Sequence, residues 1–250
     1  MNTPHLQIES AAAEARVRIL ADEDIADVSP RPRDGKRYEA VQNEYRDLVA
    51  RLRLTRPKHA SDPWCVAVTS ATGQTGVSTV STHIAMALAE SHTGRTLLVD
   101  ANADRPALQR VFQIPGDAAG LSNVTDAQEL TPNSVFRVPA IPGLYVMPAG
   151  DQDRKNALRD PVLLEGALTA LKCDFDFIVL DLAPCYQPSN GLTFAALADV
   201  SLLVIQSESS KRSDVQRTQQ WMHDAGVNLV GTVLNQFRDP MPRILKPFFG

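Results

Sequence analysis

Short apolar runs alternate with amphipathic stretches along most of this chain. The apolar runs that read as strands are Trp64–Ser70, Thr96–Asp100, Leu144–Pro148, Phe177–Asp181, Val200–Gln206 and Leu229–Asn235. Most are almost continuously apolar, as strands buried on both faces of a parallel sheet are. Helix-period segments fall between them at Thr79–Glu90, Pro106–Phe112, Pro161–Leu171, Gly191–Ala196 and Ser213–Ala225. This order predicts an α/β fold. A doubly wound, mostly parallel sheet should carry helices on both faces and ligands at the carboxyl ends of its strands.

Ahead of Trp64 the pattern changes. Ile8–Leu20 is an alanine-rich helical stretch, and Ala21–Lys36 turns acidic and then proline-rich, which reads as a flexible linker. Arg37–Leu54 is a second amphipathic helix, with Val41, Tyr45, Leu48 and Leu52 at helical spacing. The predicted division is an N-terminal helical arm with its linker over 1–36, a main domain over 37–237 and a tail over 238–250.

Composition narrows the function classes. At 44% hydrophobic and 22% charged, the chain has enough apolar material for a sizeable core. A net charge of −4 argues against a dedicated nucleic-acid binder, which needs a basic face. Arg51, Arg53, Arg56 and Lys58 form a small basic cluster, either a solvated helix end or a contact for anionic lipid or a partner. No apolar run reaches membrane-spanning length and no signal-peptide pattern opens the chain, so a cytoplasmic location is expected. Cys65, Cys173 and Cys185 have no paired spacing, which points to reduced thiols rather than zinc or disulfides. His83, between apolar residues, reads as a packed or capping histidine rather than a catalytic one.

Candidate chemistry begins where the first core strand ends. The segment Ser70-Ala71-Thr72-Gly73-Gln74-Thr75-Gly76-Val77-Ser78-Thr79 joins that strand to a helix. This is the setting of a P-loop, whose backbone N–H groups cradle phosphates and whose hydroxyl holds Mg²⁺. Gly73, Thr75, Gly76, Val77, Ser78 and Thr79 are therefore candidate phosphate-binding residues. The formal pattern fails at two positions, because Ala71 replaces the first glycine and Val77 the lysine. Two further strands end in aspartate, Asp100 and Asp181. A carboxylate at the tip of an apolar strand usually faces a cation or water, although Asp100 alone also suits a helix cap or turn. Ser78 with Asp181 is the candidate Mg²⁺ pair, and Asp100 with Asp181 the candidate catalytic pair. The order of glycine loop, strand–Asp and strand–Asp predicts a P-loop NTPase-like domain.

The spaced runs Val66–Glu90, Thr96–Phe112, Gly120–Ser122, Gly143–Gly150, Phe175–Asp181, Ala198–Val204 and Gly231–Asn235 together resemble the bacterial tyrosine kinases of capsule and exopolysaccharide assembly, themselves relatives of the MinD/ParA ATPases. The resemblance spans about residues 38–237. It implies that Gly76, Ser78 and Thr79 belong to the phosphate loop, and that Asp100 and Asp181 are the aspartates of two Walker-type motifs. It also implies that Asn235 contacts adenine, and that ATP or ADP with Mg²⁺ is the cofactor. The implied partner is an inner-membrane polysaccharide co-polymerase, with homo-oligomers possible in such a group and the chain peripheral to the membrane.

Departures from that family run in one direction. The loop lysine is Val77, the MinD/ParA signature lysine falls at Thr72, and the second aspartate of the Asp-x-Asp motif is Asn102. Of the Glu-x-x-Arg-x-x-Arg oligomerisation pattern, falling on Asn43, Arg46 and Val49, only Arg46 remains. The last tyrosine is Tyr186, so the C-terminal tyrosine cluster is missing. No lysine lies between Lys58 and Lys155; Arg95, Arg105, Arg110 and Lys211 are the cations left to reach a phosphate in three dimensions. Losing a preorganised donor of that kind costs about 3–4 kcal/mol of transition-state stabilisation. The expectation is a catalytically impaired, kinase-like regulatory or scaffold protein of polysaccharide export. The basic helix end, the arm and Phe248–Phe249 are its candidate docking elements. The alternative is an active tyrosine kinase or a MinD/ParA-like ATPase.

Overall fold

Side chains alternate across each central strand, and this sets the layering. Cys65, Ala67, Leu97, Val99, Ile178 and Leu180 belong to one buried cluster, and Val66, Val68, Leu98, Val146 and Val179 to another on the opposite face. The computed structural model describes residues 25–28, 35–56, 63–124, 131–185 and 190–236. Within them the strands are β1 (Ala26–Asp27), β2 (Trp64–Ser70), β3 (Thr96–Ala101), β4 (Phe136–Arg137), β5 (Leu144–Met147), β6 (Phe177–Leu182), β7 (Val200–Gln206) and β8 (Leu229–Asn235). They form one sheet in the order β1-β4-β5-β3-β6-β2-β7-β8, parallel throughout except between β4 and β5.

Helices α1 (Gly35–Arg53), α2 (Val77–Ser91) and α3 (Leu108–Phe112) cover the Val66 face. Helices α4 (Pro161–Asp174), α5 (Asn190–Leu197) and α6 (Arg212–Asp224) cover the Cys65 face. The fold is therefore the predicted doubly wound α/β sheet. Its crossovers leave a crevice at the carboxyl ends of β2, β3 and β6, where such sheets bind ligands.

All six predicted strands are present within a residue of their expected bounds. The paired ends β1 and β4 were not anticipated. Residues 21–36 read as linker, yet Ala26 and Asp27 pair with Phe136 and Arg137 at the edge of the sheet. Two residues carry no periodicity, so pattern alone cannot find such a strand. Buried Ile25 and Val28 flank it, and Arg137 Nε donates to Asp27 Oδ1 at 2.7 Å. Residues 1–24, including the first predicted helix, and the tail over 238–250 lie outside the described residues.

Local chemistry sets the helix ends. Asp160 caps α4 by accepting from Val162 N at 2.9 Å, and Pro161 occupies the first helical position, where its missing N–H costs nothing. Helix α1 packs on α2 through polar as well as apolar contacts. Arg46 pairs with Glu90 of α2 at 2.8 Å and, within α1, donates to Asn43 Oδ1 at 2.7 Å. His83 is buried, stacked on Tyr45 with ring centroids 4.8 Å apart, and its Nδ1 lies 2.7 Å from Gln42 Oε1. It is a packed histidine, as expected. Among the described residues no helix is long and apolar enough to cross a membrane.

The segment after α3 docks on the end of β5 with no room for a side chain. Leu121 N donates to Pro148 O and Ser122 N to Ala149 O, both at 2.9 Å. A Cβ on Gly120 would fall on Pro148 O and within 2.5 Å of Gly150 N, both backbone atoms that cannot swing away. Gly120→Ala should therefore lower unfolding stability by about 1–3 kcal/mol in urea titrations. An unchanged midpoint would show that the segment does not dock this closely.

Candidate functional site

Two carboxylates tip adjacent strands on the same face. The β3–β6 register sets Asp100 opposite Asp181, and both project to the side of α2 and α3. Both are buried. Their partners differ. Asp100 Oδ2 accepts the N–H groups of Ala107 at 2.7 Å and Leu108 at 2.9 Å, and its Oδ1 accepts that of Asn102 at 3.2 Å. It thus secures the turn leading into α3, the cap-like alternative considered for it. This also explains why α3 starts at Leu108 rather than Pro106.

Asp181 is tied to α2 instead. Ser81 Oγ donates to Oδ1 at 3.2 Å, and the Ser78 hydroxyl stands near enough to favour the charged carboxylate. Asp181 Oδ2 is buried with no hydrogen-bond partner. Burial pushes the Asp100 carboxyl up to about 6, against the opposing pull of its three backbone N–H partners. Burial and then the Asp100 charge push Asp181 up to about 8, with the two serine hydroxyls pulling the other way. Two carboxyls this close in a dry site hold a proton near neutral pH.

Above this pair the loop from Ser70 to Thr79 turns back on itself. Ser70 Oγ donates to Thr72 O at 2.7 Å, and Gln74 and Gly76 adopt left-handed conformations with φ of 65° and 86°. Gly76 is required twice over. Its φ disfavours other residues, and a Cβ there would strike Asn235 Nδ2. That amide donates to Thr75 O at 2.8 Å, so Asn235, expected against adenine, fastens the loop to β8. Helix α2 then begins with no side-chain cap and no acidic residue in its first turn. Thr79 N–H already donates to Gly76 O at 3.1 Å, which leaves the Val77 and Ser78 N–H groups and the helix dipole for an anion.

The loop forms one wall of a cleft of about 470 Å³. Residues Gly73 to Thr79 line it with Asn102, Asp104 and Arg105 from the β3–α3 segment and Leu182 to Pro184 after β6. The structure thus brings together the predicted Gly73, Thr75, Gly76, Val77, Ser78 and Thr79. Asp100, Asp181 and Asn235 lie behind the lining and hold it in place. Val77 is partly buried and packs against the apolar cluster under α2. A carboxylate oxygen with no partner, a hydroxyl beside it and an open helix N-terminus fit a Mg²⁺ ion with phosphates, since hard cations take such oxygen donors.

Sequence reading missed Ser81, which its spacing of one helical turn from Ser78 could have flagged. It also left open which cation faces the loop. Arg95 does not: it is buried at the amino end of β3, between Tyr145 and Phe175 at 4.5 and 4.8 Å and 3.5 Å from Asp174.

No protein-family model matches the chain. The tyrosine-protein kinase CpsD of Streptococcus agalactiae is 27% identical over 175 residues, 70% of this chain and 76% of that protein. The succinoglycan biosynthesis transport protein ExoP of Rhizobium meliloti is 28% identical over 161 residues, 63% of this chain and 20% of that protein. Among solved structures, the VpsO kinase domain aligns with a TM-score of 0.68 at 22% identity, over 82% of this chain and all of that one. The septum site-determining protein MinD of Pyrococcus horikoshii, solved with Mg-ADP, aligns with a TM-score of 0.59 at 22% identity, over 73% of this chain and 75% of that one. The sequence relatives include bacterial tyrosine kinases, and the fold is the MinD-type P-loop NTPase fold.

The buried pair makes stability depend on pH. Folding raises the Asp181 pKa, so the stability it carries is complete below about pH 4, where the unfolded carboxyl is also protonated. It is lost as pH rises through about 8, where the folded carboxyl ionises. Asp181→Asn, neutral at every pH, should flatten the fall of Tm between pH 5 and 9. Melting curves of the two proteins that shift in parallel with pH would contradict a raised Asp181.

Proposed function

We propose that this chain is a kinase-like regulatory or scaffold protein of exopolysaccharide or capsule synthesis and export, with nucleotide binding retained and phosphoryl transfer impaired. It acts on the cytoplasmic side of the inner membrane, with a polysaccharide co-polymerase as its partner. The observation that carries the reading is the cleft. It is lined by Gly73 to Thr79 at the start of α2, while Val77 in the lysine position packs against the apolar cluster below.

The roles of its residues follow from their contacts. The α2 N-terminus holds phosphate oxygens, and Ser78 and Asp181 hold Mg²⁺. When bound, Mg²⁺ supplies charge neutralisation across the phosphates. Asp100 is engaged by Ala107, Leu108 and Asn102 N–H groups, which leaves it a positioning role. Asn102 supplies no second carboxylate. The setting in polysaccharide export is supported by the likeness to ExoP, a succinoglycan biosynthesis transport protein. Likeness to CpsD supports the kinase-like character.

A second reading, an active tyrosine kinase, is favoured by the retained Asp181 and Ser78, which stand close together. Turnover separates the two. Calorimetry should show Mg²⁺-dependent binding of ADP and ATP, with ATP turnover at least ~10²-fold below that of a lysine-bearing kinase such as CpsD. Turnover at the rate of CpsD, abolished by Ser78→Ala, would establish the active kinase instead.

A further inference from the structure

With Val77 at the lysine position, the loop Gly73–Thr79 has no cation of its own, and a polyphosphate would be under-neutralised by the loop alone. The fold supplies one from outside the loop. Among the described residues, Arg105 is the single basic one lining the cleft, and its Nη1 lies 3.8 Å from where a Cβ on Gly73 would sit. The other cations within sequence reach are elsewhere. Arg95 is buried at the far end of β3, and neither Arg110 on α3 nor Lys211 ahead of α6 lines the cleft.

The backbone that presents Arg105 is fixed. Its N–H donates to Asn102 O and Asn102 Oδ1, both at 3.2 Å, and Asp100 holds the N–H groups of Ala107 and Leu108 just beyond. Asp104, the only carboxylate among the described lining residues, stands beside it and is exposed. A separate observation points to a ligand at the same place. Thr75 lines the cleft with its side chain buried, and its Oγ1 has no hydrogen-bond partner. A buried hydroxyl left unsatisfied is costly unless something arrives to meet it.

We infer that Arg105, reaching over Gly73 from the β3–α3 segment, replaces the missing loop lysine as the charge partner of the phosphate chain of a bound nucleotide, with Thr75 Oγ1 as a further contact. This rests on the nucleotide site proposed above. A guanidinium suits the task because its parallel N–H groups grip two phosphate oxygens at once. Standing on an exposed segment rather than in the loop, it neutralises charge in a salt-sensitive way.

The test is calorimetric titration of ADP, and separately of inorganic pyrophosphate, into the full chain and its variants with Mg²⁺ present. Arg105→Ala should weaken ADP binding by ~10–100-fold, and Arg105→Lys by less. Pyrophosphate binding should fall with the same variants, and weaker overall binding than ADP would identify the nucleotide as the ligand. Pyrophosphate binding as tight as ADP would overturn the nucleotide assignment. The decisive readout is rescue: Arg105→Ala combined with Val77→Lys should regain ADP affinity, which a merely structural arginine would not allow. Wild-type affinity in Arg105→Ala overturns the inference alone. A wild-type protein that binds no nucleotide overturns the inference and the proposed nucleotide site together.

Discussion

Two carboxylic acids side by side at the tips of neighbouring strands are the constraint on which this site is built. Neither can be charged cheaply in so dry a position, and both together less so. The chain meets the cost with hydrogen bonds that double as structure. Asp100 gathers the N–H groups of Asn102, Ala107 and Leu108, which sets the path of the segment carrying Asp104 and Arg105. Asp181 accepts from Ser81, one turn into α2, with the Ser78 hydroxyl nearby. Each wall of the cleft therefore hangs from one member of the buried pair.

The loop between those walls keeps its shape for reasons independent of the lysine position. Gly76 turns through a left-handed conformation that leaves no space for a Cβ, and Asn235 fastens Thr75 from the far side. A backbone cradle needs only such geometry, so it persists where the charged side chain of the motif is absent. Val77 joins the apolar packing beneath α2. Binding and chemistry come apart at this point, since backbone N–H groups and a helix dipole suffice to hold an anion, whereas phosphoryl transfer asks for a cation placed at the developing charge.

Much of this was legible in the chain. Parallel strands buried on both sides write themselves as continuous apolar runs, which is why Trp64–Ser70 and Val200–Gln206 coincide with their predicted bounds. The glycine loop and the two strand-tip aspartates were equally plain. What escaped depends on contacts between residues far apart in sequence. Ala26–Asp27 is a strand only because Phe136–Arg137 lies beside it. The commitment of Asn235 to Thr75 spans 160 residues. Arg105 was one cation among several until the fold removed Arg95 to the opposite end of the sheet.

The claim that joins these observations is that the cleft is a nucleotide site assembled around a lysine-free loop. A crystal structure of the full chain grown with Mg²⁺ and ADP tests it most directly. The β-phosphate should lie on the first-turn N–H groups of α2, with the cation beside Ser78 and Asp181. Clear density for ADP elsewhere on the molecule, or an α2 N-terminus free of phosphate at saturating ADP, would contradict it.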